Sequence, residues 1–150
     1  MAMSVEVRQE DFDPCAELTE LTLRAGDAGA LASFIGRVRR DGAVRAMTLE
    51  HYPGMTEKAL TDIVDEACRR WSLLAVRVVH RVGRLLPGEN IVLVLVAAAH
   101  RREAFAGCEF IIDYLKTRAP FWKCEETATG RRWVEARASD DEAAGRWQAR

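Results

Sequence analysis

Apolar residues along this chain recur now at every second position, now at helical spacing, and the switches between the two mark its elements. Residues 4–8 alternate Val5 and Val7 with polar neighbours, as an edge strand does. Asp13 then offers a side-chain acceptor and Pro14 a preset φ, so a helix carrying Leu18, Leu21 and Ala25 opens here and closes at Gly26. Residues 29–37, with the run Ala-Leu-Ala-Ser-Phe-Ile, are apolar on both faces, which predicts a strand central to a sheet. Residues 44–50 read as a strand again, and Asp41-Gly42 between the two predicts a hairpin with Arg37, Arg39 and Arg40 at its end.

His51-Tyr52-Pro53-Gly54 turns the chain into a helix over residues 55–71, with Ala59, Leu60, Ile63, Val64, Ala67, Cys68 and Trp71 on one face. In the strand over 75–82, Val76, Val78, His80 and Val82 share a face, and a histidine so placed reads as a satisfied core or edge residue rather than a ligand. Pro87-Gly88-Glu89 leads into 91–99, an unbroken apolar run that predicts the most buried strand. The next helix buries Ala104, Phe105, Cys108, Ile111, Ile112 and Leu115 and stops at Pro120. A short strand follows, with Phe121, Lys123 and Glu125 on one face. After a turn at Gly130, Ser139 to Glu142 reads as a capping box for a terminal helix carrying Ala143, Ala144 and Trp147. Hairpins mixed with long helices predict an α+β fold, a mixed or antiparallel sheet with flanking helices.

A chain of 150 residues, 49% hydrophobic, can bury one proper core and is short for two, so residues 1–150 are expected to form a single domain. The net charge of −1 provides no global basic field for nucleic acid or an acidic membrane, and any preference for anions has to come from local clusters. No apolar run reaches the length of a membrane span, and Glu6, Glu10 and Asp11 stand where a secretion signal needs a basic start, so a cytoplasmic location is expected. Cys15, Cys68, Cys108 and Cys124 are too scattered for a zinc knuckle or a disulfide framework, and nothing in the pattern asks for a metal or a cofactor.

Two local clusters carry candidate chemistry. Lys116 falls at the border of its helix's apolar stripe, where its stem can lie along protein while its ammonium reaches a cleft. Lys123 stands between Phe121 and Trp122 just past the Pro120 reversal. Two ammoniums in one pocket would drive protons off and make one lysine usable as an acid or base; apart, they are a boundary lysine and a strand lysine. The second cluster is His100-Arg101-Arg102 at a helix start, where the dipole disfavours cations unless an anion is bound there. Cys124 follows Lys123 but by alternation points away from it.

Several blocks resemble, in order, the large catalytic subunit of molybdopterin synthase: Gly36-Arg37-Val38-Arg39, Leu49-Glu50-His51-Tyr52-Pro53-Gly54-Met55, His80-Arg81-Val82-Gly83 with Pro87-Gly88-Glu89, Ala99-His100-Arg101, and Leu115 through Lys123. The resemblance runs from about Gly29 to Trp147, and residues 1–28 are the least specific part. It implies an α+β, hammerhead-like fold and a sulfurtransferase of molybdenum cofactor biosynthesis. Such an enzyme takes sulfur from the C-terminal Gly-Gly thiocarboxylate of a small ubiquitin-like subunit and adds it to cyclic pyranopterin monophosphate, forming the dithiolene of molybdopterin. The implied assembly is a homodimer of large subunits within a heterotetramer. Carried over by position, Lys116 and Lys123 are the implied catalytic residues. Arg37, Val38, Arg39, His100, Arg101, Cys124, Glu125 and Arg137, with both lysines, are the implied substrate-binding positions.

Both reactants are anions, so Arg39, His100, Lys116 and Lys123 are expected to gather around one hollow, within a protomer or between two. Two other classes compete with this reading. One is a non-catalytic nucleotide- or RNA-binding module built on the same basic clusters. The other is an acyl or phosphoryl transferase with Cys124 as nucleophile beside Lys116.

Overall fold

The computed structural model describes residues 2–134 and 138–148. In chain order its elements are β1 (Ala2–Arg8), α1 (Pro14–Arg24), β2 (Ala30–Arg37), β3 (Val44–His51), α2 (Met55–Arg70) and β4 (Leu73–Arg81). They continue with β5 (Gly83–Leu85), β6 (Asn90–Ala98), α3 (Arg101–Arg118), β7 (Phe121–Thr127), β8 (Gly130–Val134) and α4 (Ala138–Gly145). The strands form two four-stranded sheets, ordered β1-β4-β6-β2 and β5-β3-β7-β8, so the predicted α+β class holds.

The apolar run of β6 is explained by its surroundings. It pairs with β4 on one side and β2 on the other, and Val92 through Ala98 are all but inaccessible to solvent. Val92, Val94 and Val96 meet Leu60, Val64, Phe110, Ile111 and Leu115 from α2 and α3 in the main core. Leu93, Leu95 and Ala97 pack on the opposite face against Phe12, Leu21 and Ala25 at α1. That helix begins as expected: the Asp13 carboxylate accepts from the Cys15 and Ala16 amides at 3.0 and 3.2 Å.

Four expectations need correction. β2 is an edge strand, not a central one; no strand among the described residues pairs beyond it, and its apolar residues Leu31, Phe34 and Ile35 remain exposed. β2 and β3 do not form a hairpin, since they belong to different sheets. Residues 38–43 cross between the sheets instead, held by Val38 N–H on the Glu89 carbonyl (2.9 Å) and Gly88 N–H on the Val38 carbonyl (2.8 Å). Gly42, at φ +83°, bends this crossover, and the Asp41 carboxylate accepts from the amides of Ala43 and Val44. On α3, Phe105 is exposed, sharing an outer flank with Glu109 and Lys116, while Phe110 and Tyr114 take the inward positions. Finally, α4 begins at Ala138, which puts Ser139 inside the helix rather than at its cap. The helix ends at Gly145, and Trp147, two residues beyond it, packs edge-on to Trp71 and Phe110.

Candidate active site

Register decides what faces the space between the two sheets. β7 lies antiparallel to β3 with Phe121 opposite His51, Lys123 opposite Leu49 and Glu125 opposite Met47, so these six residues share one face. In the other sheet His80, Val92 and Gly36 stand side by side across β4, β6 and β2. A cleft of about 500 Å³ opens between the two, within the size range of small-ligand pockets. Leu49, Met47, Val92, Leu115 and Phe121 give it an apolar lining, and Arg37, Arg39, Lys116 and Lys123 supply four cations. Lys116 reaches it from the last turn of α3, Lys123 from β7, and the arginines from the end of β2 and the crossover behind it.

Three acids also line the cleft, and two of them are already engaged. Glu125 pairs with Arg132 at 3.3 Å. Asp41 is held below the usual carboxylate range chiefly by the Val44 and Ala43 amides that it accepts from. Asp140 is the third. Arg37 uses part of its guanidinium on the Gly88 carbonyl, which fixes its head against the turn at residues 86–89. An apolar slot with convergent cations is suited to a flat organic molecule carrying a small anionic group.

His80, read from the sequence as a core residue, lines this cleft. It is 4% exposed and stacks on Phe121, with ring centroids 3.8 Å apart and planes 18° from parallel. Nδ1 lies 2.8 Å from the Arg81 carbonyl and therefore donates to it, leaving Nε2 as the lone-pair nitrogen of a neutral ring. Burial drives its pKa down to about 3, with the charges of Lys116 and His51 adding to the effect and the Arg81 carbonyl opposing it. The clue available in the sequence was parity: His80 closes the Val76-Val78 face at the strand end from which the chain leaves the core. Phe34, Phe121, Asp41 and Asp140 were likewise not singled out as cleft residues.

Of the residues expected at the site, Arg37, Arg39, Lys116, Lys123 and Glu125 meet in the cleft. The Val38 side chain is buried with Met47, Leu49 and Leu85. The Cys124 side chain is buried on the opposite face of its sheet, 3% exposed, so it cannot serve as a nucleophile beside the lysines. Arg137 lies outside the described residues. His100 and Arg101 do not line the cleft of their own chain, so of the two arrangements expected, a hollow within one protomer or between two, the cleft of a single chain gathers, of the described cations, only Arg37, Arg39, Lys116 and Lys123. His100 caps α3 and Arg101 begins it, fifteen residues before Lys116, and at 1.5 Å per residue Arg101 is roughly 22 Å away along the helix. A smaller cavity of about 210 Å³ between β1 and α1 is different in character, because its Arg77 is already paired with Glu6 and Glu17.

Two sheets enclosing a cation-lined cleft, with a long helix delivering one lysine and a strand the other, define the α+β fold of this protein and its candidate site. The chain belongs to the MoaE protein family, whose model matches residues 7–118. It is 57% identical over 147 residues to the molybdopterin synthase catalytic subunit of Ralstonia nicotianae, covering 96% of this chain and 84% of that relative. The structure of the molybdopterin biosynthesis MoaE protein from Burkholderia ambifaria superposes with a TM-score of 0.86 at 56% identity, covering 99% of each chain. A chain of the complex of subunits 1 and 2 of molybdopterin-converting factor from Helicobacter pylori shares the fold, with a TM-score of 0.76 at 21% identity over 89% of this chain and 91% of that one. The nucleotide- or RNA-binding alternative finds no support among these relatives.

Proposed function

We propose that this chain is the catalytic subunit of a molybdopterin synthase and that the cleft between the sheets is where sulfur passes from a thiocarboxylated small subunit to cyclic pyranopterin monophosphate. The observation that carries the reading is the convergence of Arg37, Arg39, Lys116 and Lys123 on one apolar-lined cleft in a chain whose net charge is only −1. At about 4 Å two unit charges repel by roughly 4 kcal/mol at a protein surface, so a site without several cations would hold the two anionic reactants apart. In this reading the apolar walls and Phe121 take the pterin, and Lys116 and Lys123 meet the thiocarboxylate. The lysines also stabilise the negative charge that grows on oxygen as the carbon–phosphate link opens. The enzyme acts as one domain in the cytoplasm; no helix among the described residues is long and apolar enough to cross a membrane.

His100 and Arg101 enter this reading through a second copy. Among the described residues the outer edge of β2 has no strand partner, and Leu31, Phe34 and Ile35 on this strand are exposed. The start of β2 adjoins the His100 end of β6, where Gly29 N–H donates to the Ala98 carbonyl at 3.0 Å, and its far end opens into the cleft at Arg37. Two β2 strands paired antiparallel about a two-fold axis exchange these ends. His100 and Arg101 of one copy then approach the cleft of the other and complete a phosphate seat with Arg39. The expected assembly is a heterotetramer, with a small subunit on each outer side.

The test is to mix the protein with the thiocarboxylated small subunit and the cyclic pterin and to look for a dithiolene-bearing product. Wild type should form it. Lys116→Ala should bind the small subunit normally and form none, and full turnover by that variant would refute the assignment.

A further inference from the structure

Thr56 stands in the first turn of α2, yet its side chain is fully buried. Its hydroxyl is used twice: it donates to the Pro120 carbonyl at 2.9 Å, 64 residues away in sequence, and accepts from the Tyr52 amide at 2.9 Å. The Thr56 amide in turn donates to the Tyr52 carbonyl at 2.9 Å. This is not an ordinary helix cap. Gly54 holds the cap position at φ +85°, and its amide is taken by the Glu57 carboxylate at 3.1 Å. The residues that build the arrangement, Tyr52 through Glu57, take part in no step of the proposed chemistry.

What the hydroxyl holds is the reversal between the two lysines. α3 ends at Arg118, and Phe121 N–H folds back onto the Ala119 carbonyl at 2.9 Å, which turns the Pro120 carbonyl outward and leaves it in need of a donor. The ladder of β7 on β3 then starts at once with Phe121 opposite His51, immediately before the Tyr52 turn. One side chain thus ties the exit of α3, the first pair of the β3–β7 ladder and the entry of α2 to a single point. Lys116 lies four residues before that point and Lys123 three after it.

We propose that Thr56 is a positioning residue for the synthase reaction: its hydroxyl pins the Pro120 reversal and so sets how Lys116 and Lys123 face each other across the cleft. The inference rests on the reading of that cleft as the active site. Its chemistry is specific to the hydroxyl, because a methyl group of the same shape would leave the Pro120 carbonyl and the Tyr52 amide facing each other's former partner with nothing to bond. Misplacement of a catalytic group by about 1 Å can cost on the order of a hundredfold in rate.

The experiment compares Thr56→Val and Thr56→Ser with wild type, each assembled with the small subunit. Measured are single-turnover rate, KM for the pterin, affinity for the small subunit, and yield of a Lys116–Lys123 cross-link formed by a short amine-reactive bifunctional reagent and read by mass spectrometry. Thr56→Val should lose roughly ten- to a hundredfold in rate, with KM and small-subunit affinity changed much less, and should lose most of the cross-link. Thr56→Ser should regain both. If Thr56→Val unfolds at lower temperature but keeps its rate and cross-link, the residue is merely structural and the proposal fails; it fails equally if Thr56→Ser is as slow as Thr56→Val. Should Thr56→Val not fold, Thr56→Ala takes its place, and an unchanged rate and cross-link in it would overturn the proposal. The cross-link needs no turnover, so it tests Thr56 even if the wild-type assembly were to make no dithiolene, the result that would instead sink the functional reading.

Discussion

Replacing His80 with phenylalanine keeps a ring against Phe121 but removes a buried group whose proton affinity differs between the folded and unfolded chain. In the folded protein, burial first and the nearby charges of Lys116 and His51 next lower its pKa from 6.5 to about 3. The unfolded chain therefore binds a proton that the folded protein refuses, and stability rises with pH through this range. The contribution is fully present above the unfolded pKa of 6.5 and is lost as the pH falls towards 3. Between about pH 7.5 and about pH 5.5 the loss is on the order of 1 kcal/mol. Two carboxyls behave in the same sense but act lower: Glu6, held down by its hydrogen bond from Arg77, and Asp41, held down by backbone amides. Both remain ionised across the chosen window. Urea unfolding at the two pH values measures the effect. His80→Phe leaves the Arg81 carbonyl without its donor and should be less stable at both, so the readout is the slope and not the level. Wild type should lose on the order of 1 kcal/mol more than the variant over the window. Equal slopes would show that His80 takes up its proton in the folded state, and the account of a neutral imidazole lining the cleft would be wrong.

Phe110→Ala empties the junction where Trp71, Tyr114 and Trp147 meet edge-on, and denaturation should show a loss of about 3–5 kcal/mol. Asp13→Ala removes the acceptor for two amides at the start of α1; it should cost about 1 kcal/mol in the same assay, and turnover should be unchanged because α1 packs on the face of the sheet away from the cleft. Cys124→Ser should retain dithiolene formation, since the side chain points to the opposite face from Lys123; loss of turnover in a variant that still folds would revive a nucleophilic role for the thiol.

Periodicity made most elements legible because each side chain reports its own immediate surroundings. Val92 through Ala98 are apolar without interruption because they have strands on both sides and helices or side chains on both faces. Lys116 and Lys123 could be read as flanking a reversal because Pro120 cannot continue a helix and the strand beyond it alternates. Pairing between distant segments was not legible in the same way. An apolar edge strand such as β2 looks like a central one from sequence, since composition does not record that no strand among the described residues pairs with its outer edge. Asp41-Gly42 bends the chain as such a pair should, but the bend joins two sheets because Val38 at the start of the crossover bonds to Gly88 and Glu89 instead of to a sister strand. His100 and Lys116 look close in a list of basic residues, and the rigid length of α3 keeps them apart. Thr56 escaped for a related reason: its partner, Pro120, is a backbone carbonyl with no mark in the sequence.

The central claim is that pterin and thiocarboxylate tail are brought together between the two sheets, under Lys116 and Lys123. A crystal structure of the assembly with the small subunit and the cyclic pterin tests this most directly. The pterin should lie along Phe121 in the cleft, its phosphate within reach of Arg39, with the C-terminus of the small subunit entering beside the two lysines. A pterin bound elsewhere, or a tail that ends away from Lys116 and Lys123, would contradict it.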